Sequence, residues 1–275
     1  SRRHSQEKEQ NSMSVQRLNL MGAVYAMACI VAGTAIAEER DKLLSEPGVY
    51  GNFSAFQIDH DWWNMDKAVR LAAISEAKAV FDKYRDKLAI DTFLLRGLSD
   101  HADVMVRVHA RELGDIQSFL VDLLATGVGK HLNTTLVLNG MTKKANYVPA
   151  FPDALKNDLK APSDPGPDTY AIVIPIRKDA EWWGLDQDKR TALMQEHTEA
   201  ALPYLKTVKR KLYHSSGLDD VDFITYFETS RMDDFHQLII ALEKVKENKH
   251  NRRFGHPTLI GTVRSWDELF GTLGR

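Results

Sequence analysis

The sequence predicts an α+β protein made of two tandem ferredoxin-like modules, each β-α-β-β-α-β, with antiparallel sheets and helices on one face. Two observations predict it: an internal duplication, and the same order of strand and helix signals in both copies. Laying residues 62–98 over residues 182–218 matches Trp62-Trp63 to Trp182-Trp183, Asp66 to Asp186, Arg70 to Arg190 and Ala72 to Ala192. In the same register Glu76 meets Glu196, Tyr84 meets Tyr204, and Gly97-Leu98 meets Gly217-Leu218. After a one-residue slip, Asp103 meets Asp222 and Lys130-His131 meets Lys249-His250. Self-similarity at fixed spacing is the mark of a duplicated structural unit.

The elements follow in order. A β-rich segment opens each half, Val49 to Ile58 and Tyr170 to Ile176. The Trp pair follows, then a helix over about 66–84 and 186–204. Two strands flank the Gly-Leu turn, over 88–95 with 102–109 and over 208–215 with 222–228. A second helix covers 112–125 and 231–246, and a last strand falls near 134–140 and 257–264. The modules therefore occupy residues 38–151 and 170–275. Residues 152–169 carry Pro152, Pro162, Pro165, Gly166 and Pro167 and read as a linker.

Residues 1–37 stand apart from the repeat. Arg17 precedes an apolar run from Leu18 to Ala37 that ends in Ala35-Ile36-Ala37 before Glu38. That order, basic then apolar then small-x-small, predicts a cleaved secretory signal and a periplasmic protein with no membrane attachment afterwards. The other reading is an uncleaved membrane anchor, but the run barely reaches spanning length and holds Gly22 and Gly33. The single cysteine, Cys29, lies in this segment. A chain starting at Glu38 thus has no disulfide, no thiolate ligand and no covalent heme attachment. A net charge of −2 excludes a global basic field for nucleic acid, and no zinc-finger, RNA-binding or P-loop signature occurs.

A duplication is its own control: shared positions serve the fold, and departures toward reactive chemistry mark a site. His197 stands where the first half has Ala77, with Leu193, Met194, Ala200 and Ala201 on its helical face. It is either a core histidine bonded to a carbonyl or a neutral imidazole suited to iron. Arg210 stands where the first half has Ile90. Strand alternation puts it with Val208 and Leu212 on an apolar side and sends Lys209 and Lys211 to the opposite side, toward solvent. It is either half of a structural ion pair or an anion-binding donor. Glu247 replaces Val128 at the end of the second helix. It reads as a solvated helix-end charge or as an acceptor for the N–H of His197.

Around these residues the sequence resembles the chlorite dismutase family, from about Glu38 to the C-terminus. The resemblance is carried by Ala180-Glu181-Trp182-Trp183, by Gln195-Glu196-His197-Thr198, by Val208 to Ser215, by Gly217 to Thr229 and by Val245-Lys246-Glu247-Asn248. It implies one non-covalent heme b per subunit, a ring of five subunits, and conversion of chlorite to chloride and dioxygen through transient hypochlorite. It further implies that His197 is the proximal iron ligand, that Glu247 accepts its N–H, and that Arg210 is the distal arginine orienting chlorite. Thr225 and Phe227 would line the distal pocket, and Asn146, Tyr147 and Lys178 would hold the heme propionates. Trp182 and Trp183 would lie near the heme, although the matching pair in the first half makes one of them partly structural. The alternatives on the same fold are a coproheme decarboxylase, which tends to have Gln in place of Arg210, a heme sensor without turnover, and a peroxidase. The last lacks a distal histidine, since His214 lies beside the Gly217 turn and reads as structural or surface.

Overall fold

The computed structural model describes residues 33–144, 161 and 169–275. The chain divides into a unit ending at Asp41 and a unit from Lys42 to Arg275. Of the first, residues 33–41 are described and are helical. The expected signal segment otherwise lies outside the described residues, as does the expected linker apart from Ala161 and Thr169. No helix among the described residues is long and apolar enough to cross a membrane.

The second unit contains both copies of the repeat. The first runs β1 (Tyr50–Ile58), α1 (His60–Asn64), α2 (Lys67–Tyr84), β2 (Ala89–Leu94), β3 (Val104–Ala110), α3 (Leu113–Ala125) and β4 (Leu132–Met141). The second runs β5 (Tyr170–Lys178), α4 (Ala180–Gly184), α5 (Gln187–Ala201), β6 (Val208–His214), β7 (Phe223–Thr229), α6 (Met232–Glu243), β8 (Asn251–Phe254) and β9 (Leu259–Arg264). A helix that the repeat does not contain, α7 (Trp266–Leu273), ends the chain under a capping box between Ser265 and Glu268. The expected final strand is β9; the short β8 precedes it and was not expected, with Gly255 between them at φ +78°.

The shared residues explain themselves as scaffold. Asp66 and Asp186 cap α2 and α5 by accepting from Ala68 N and Lys189 N. Gly97 and Gly217 hold φ of +86° and +81°, a left-handed turn that a Cβ disfavours. Asp103 accepts the amide of Ile58 at 2.8 Å and Asp222 that of Lys178 at 2.7 Å. The ring of Trp62 lies 5.6 Å from His131, and that of Trp182 lies 5.8 Å from His250.

All strand pairings are antiparallel, and their order β7-β6-β4-β1-β3-β2-β9-β5 closes on itself through β5–β7, with β8 added beside β5. The strands thus close into one barrel, whose inner faces meet in a shared core. On β3, Met105 points into the barrel with Phe53, Phe93, Tyr213 and Tyr226, while Val104, Val106 and Val108 pack under α2 and α3. On β5, Ala171 and Val173 point inward and Ile172 and Ile174 pack under α5 and α6.

Barrel closure corrects one expectation. Lys209 and Lys211 do face away from Arg210, but that side is the barrel interior rather than solvent. Lys211 is buried and its ammonium donates to the Leu44 carbonyl. Alternation gave the parity of the strand. It could not reveal that a second sheet covers the far face.

Candidate active site

The two halves differ in how the first helix of each meets its sheet. In the first half α2 buries Ala73, Ile74, Ala77 and Phe81, and α7 adds Leu269, Phe270 and Leu273 to the same core. In the second half α5 buries only Thr198 and Ala201. The space that the first half fills with side chains is here a cavity of about 1010 Å³. Its walls come from α4, α5, α6 and the outward faces of β5, β6 and β7, with the segment 141–144 at one side. Apolar groups such as Ile176, Met194, Leu212, Leu238 and Phe254 make most of the lining, and a few polar groups converge on it.

His197 lines this cavity, whereas its counterpart Ala77 is fully packed. Of its expected neighbours on α5, Met194 lines the cavity with it, while Ala200 and Ala201 pack into the apolar core. Nδ1 of His197 donates to Oε2 of Glu247 at 3.1 Å. Burial first, then the cations Arg210 and Lys178, drive His197 down to about 3. The imidazole is therefore neutral at ordinary pH. With its one proton on Nδ1, the lone pair resides on Nε2.

Glu247 lies beyond the end of α6, in the short 3₁₀ turn Lys246–His250, not at the helix end. It is buried, so the solvated helix-end reading fails. Its second oxygen is ion-paired with Lys178. That ammonium is itself buried, donates to Asn251 Oδ1 at 2.7 Å, and lies 4.5 Å from the centre of the Trp182 ring. Burial lowers Lys178 to about 8. One carboxylate thus orders both the histidine and the lysine.

Arg210 lines the cavity from β6, cross-strand from Phe227, and Thr225 stands across from Leu212 on the same wall. Thr225 Oγ1 donates to the Ile174 carbonyl at 3.0 Å. Trp182 and Trp183 both reach the lining. Trp182 is buried, while Trp183 is 46% exposed and stacks on Phe223 at 6.0 Å. Asn146 and Tyr147 lie outside the described residues.

Two cavity residues, His214 and Arg190, escaped the sequence reading. His214 belongs to the lining rather than the surface. It packs edge-on against Phe223 at 5.2 Å, and burial together with Lys143 pushes it down to about 4. Its shared parity with Arg210 was the available signal. Lys178 stands where the first half has Ile58, a fourth break in the repeat. Arg190 gave no signal at all, because Arg70 occupies the matching position.

The fold and cavity define a class: a two-module α+β barrel with a deep, mostly apolar pocket in one module, entered by a neutral histidine backed by a carboxylate and by an arginine. The family model for chlorite dismutase matches residues 56–264, and the chain belongs to the chlorite dismutase family. It is 42% identical over 237 residues to a chlorite dismutase of Ideonella dechloratans, covering 86% of this chain and 83% of that protein. The structure of chlorite dismutase from Candidatus Nitrospira defluvii in complex with imidazole is 57% identical with a TM-score of 0.81, covering 86% of this chain and 99% of that one. A coproheme decarboxylase of Mycolicibacterium smegmatis is more distant, at 26% over 210 residues, covering 74% of this chain and 85% of that protein.

Proposed function

We propose that this chain is a heme enzyme converting chlorite to chloride and dioxygen, with His197 as the residue that would hold the iron. One observation carries the reading: a neutral imidazole tied to a buried carboxylate and the Arg210 guanidinium line the same cavity. The residues fit heme b. The cavity is large and apolar, a neutral histidine offers Nε2, and no cysteine stands among residues 38–275 to attach the group covalently. Bound heme supplies the redox chemistry of oxygen transfer.

The protein's own groups do the rest. Glu247 fixes the tautomer of His197 and makes it a more electron-rich donor, which favours breaking an O–Cl bond. Lys178 holds Glu247 in place and keeps its charge from being buried alone. Arg210 attracts and orients the chlorite anion. Arg210 would also hold hypochlorite within the pocket, so that both oxygens can leave as dioxygen and the chlorine as chloride. Thr225, Leu212 and Phe227 exclude bulk water from that wall.

The finer features belong to the same reading: one heme b per subunit, a five-subunit ring, and export directed by residues 1–37. Asn146 and Tyr147 would complete the grip on the propionates. Oxygen-electrode measurement on residues 38–275 reconstituted with heme b tests the core of it. A Soret band with stoichiometric dioxygen and chloride is the expected result. A Soret band without dioxygen would favour a sensor, and no Soret band would remove heme from the account. Sedimentation and the N-terminal mass of the exported protein test the remainder.

A further inference from the structure

The repeat offers one more comparison, between two identical residues with different surroundings. Arg70 and Arg190 occupy the same position on α2 and α5. Arg70 is buried, and its guanidinium donates to the carbonyls of Trp63 at 3.5 Å, Met65 at 2.5 Å and Arg275 at 2.6 Å. The last acceptor follows α7, which packs on the first module and has no counterpart beside the second among the described residues. Arg190 therefore lacks that acceptor. Among the described residues no carbonyl or carboxylate accepts a hydrogen bond from its side chain, although Asp186 one turn earlier is within electrostatic reach; its Nε, like that of Arg70, is buried without a partner, and it lines the cavity. A guanidinium left with unsatisfied donors at the wall of an apolar cavity calls for an anion.

Its position says which anion. Arg190, Met194 and His197 share one face of α5, and all three line the cavity. Arg190 stands two turns before His197, about 10 Å along the helix axis. Lys178, the cation expected from sequence to take a heme carboxylate, is held by Glu247 and Asn251. We propose that Arg190 is an anion-binding residue of the cavity, holding a carboxylate at the edge of the bound macrocycle. The assignment rests on the heme reading above. The chemistry it recognises, a small planar oxyanion or carboxylate, has two sources: the cofactor's own carboxylates and the inorganic anions that enter the pocket.

The test uses the full chain loaded with heme b, as wild type, Arg190→Lys and Arg190→Met. Heme loss to excess apomyoglobin is followed at the Soret band, and is repeated with heme dimethyl ester, whose carboxylates are masked. Fluoride affinity is measured on the same samples. Arg190→Met should lose heme b about tenfold faster than wild type, as loss of a charge-assisted bond requires, with Arg190→Lys in between. The difference should vanish with the ester. Unchanged heme loss with fluoride binding weakened about tenfold would support the anion role and assign it to inorganic anions. Unchanged heme loss and unchanged fluoride binding would overturn the proposal, and a fall in melting temperature equal to that of Arg70→Met would then give Arg190 a purely structural role. A wild-type chain with no Soret band would instead overturn the heme reading itself.

Discussion

His197 and Glu247, fifty residues apart in sequence, meet through a hydrogen bond of 3.1 Å between Nδ1 and Oε2 at the floor of the second module's cavity. The bond makes the imidazole a stronger donor at Nε2. Glu247→Gln keeps an oxygen to accept from Nδ1 but removes the charge. Heme affinity should fall by about tenfold or more, the usual cost of disturbing a partner of a ligating histidine. The ferric/ferrous midpoint potential should rise, because the ligand pushes less electron density. Spectroelectrochemical titration reads the second effect, and an unchanged potential would show that the pair does not tune the ligand.

The same substitution strands Lys178. Its ammonium and the Glu247 carboxylate are both nearly closed to solvent. Removing one partner of a buried pair costs about 3–5 kcal/mol, much of it from the charge left behind. Urea unfolding of the heme-free chain should show a loss of that order for Glu247→Gln. The double variant Lys178→Met, Glu247→Gln should recover most of it. A double variant no more stable than the single one would mean that the ion pair is not what Glu247 contributes.

Arg210→Ala should separate retention from ligation. His197 and the apolar lining are untouched, so heme binding should persist. With the guanidinium gone, hypochlorite should escape more often. A chlorine-acceptor dye present during turnover should then bleach faster, and the enzyme should inactivate after fewer cycles. Equal dye bleaching in wild type and variant would remove Arg210 from the retention step.

How far the sequence spoke depended on whether a residue differed from its copy. His197 against Ala77, Arg210 against Ile90 and Glu247 against Val128 were legible because the chemistry changed at a core-like position, and all three line the cavity. The element order was legible because each copy repeats the same strand and helix periodicities. Arg190 was invisible because it differs from Arg70 only in what surrounds it. The cavity itself was also hidden. It depends on α7 filling the first module alone, and α7 lies outside the repeat pattern. The solvent expected around Lys211 was wrong for a related reason: alternation within one strand carries no information about a distant sheet closing over it.

His214 makes stability depend on acid. Its folded-state value near 4 lies below the ordinary 6.5, through burial and then Lys143. Between those values the unfolded chain binds the proton more readily, so stability rises with pH across that window and is lost as pH falls from 6.5 through 4. Because the ring is only part-buried, about 1 kcal/mol is the expected contribution. Urea unfolding at pH 7 and pH 5 should show His214→Gln losing less stability on acidification than wild type. Parallel losses would mean that His214 is not the acid-sensitive group.

Gly217 provides a test of the scaffold free of packing changes. Its φ of +81° is left-handed, and a Cβ added there meets nothing within 4 Å. Gly217→Ala should therefore lose only the backbone preference, about 1–2 kcal/mol. Gly97, at the matching turn with φ +86° and equally open surroundings, should lose the same amount. The turn joins β6 to β7, the strands that carry Arg210, Thr225 and Phe227, whereas Gly97 joins strands with no part in the cavity. If the second turn also sets the distal wall, Gly217→Ala should weaken fluoride binding to the heme-loaded chain and Gly97→Ala should not. Equal binding in both variants, at equal stability loss, would confine the Gly217 turn to folding.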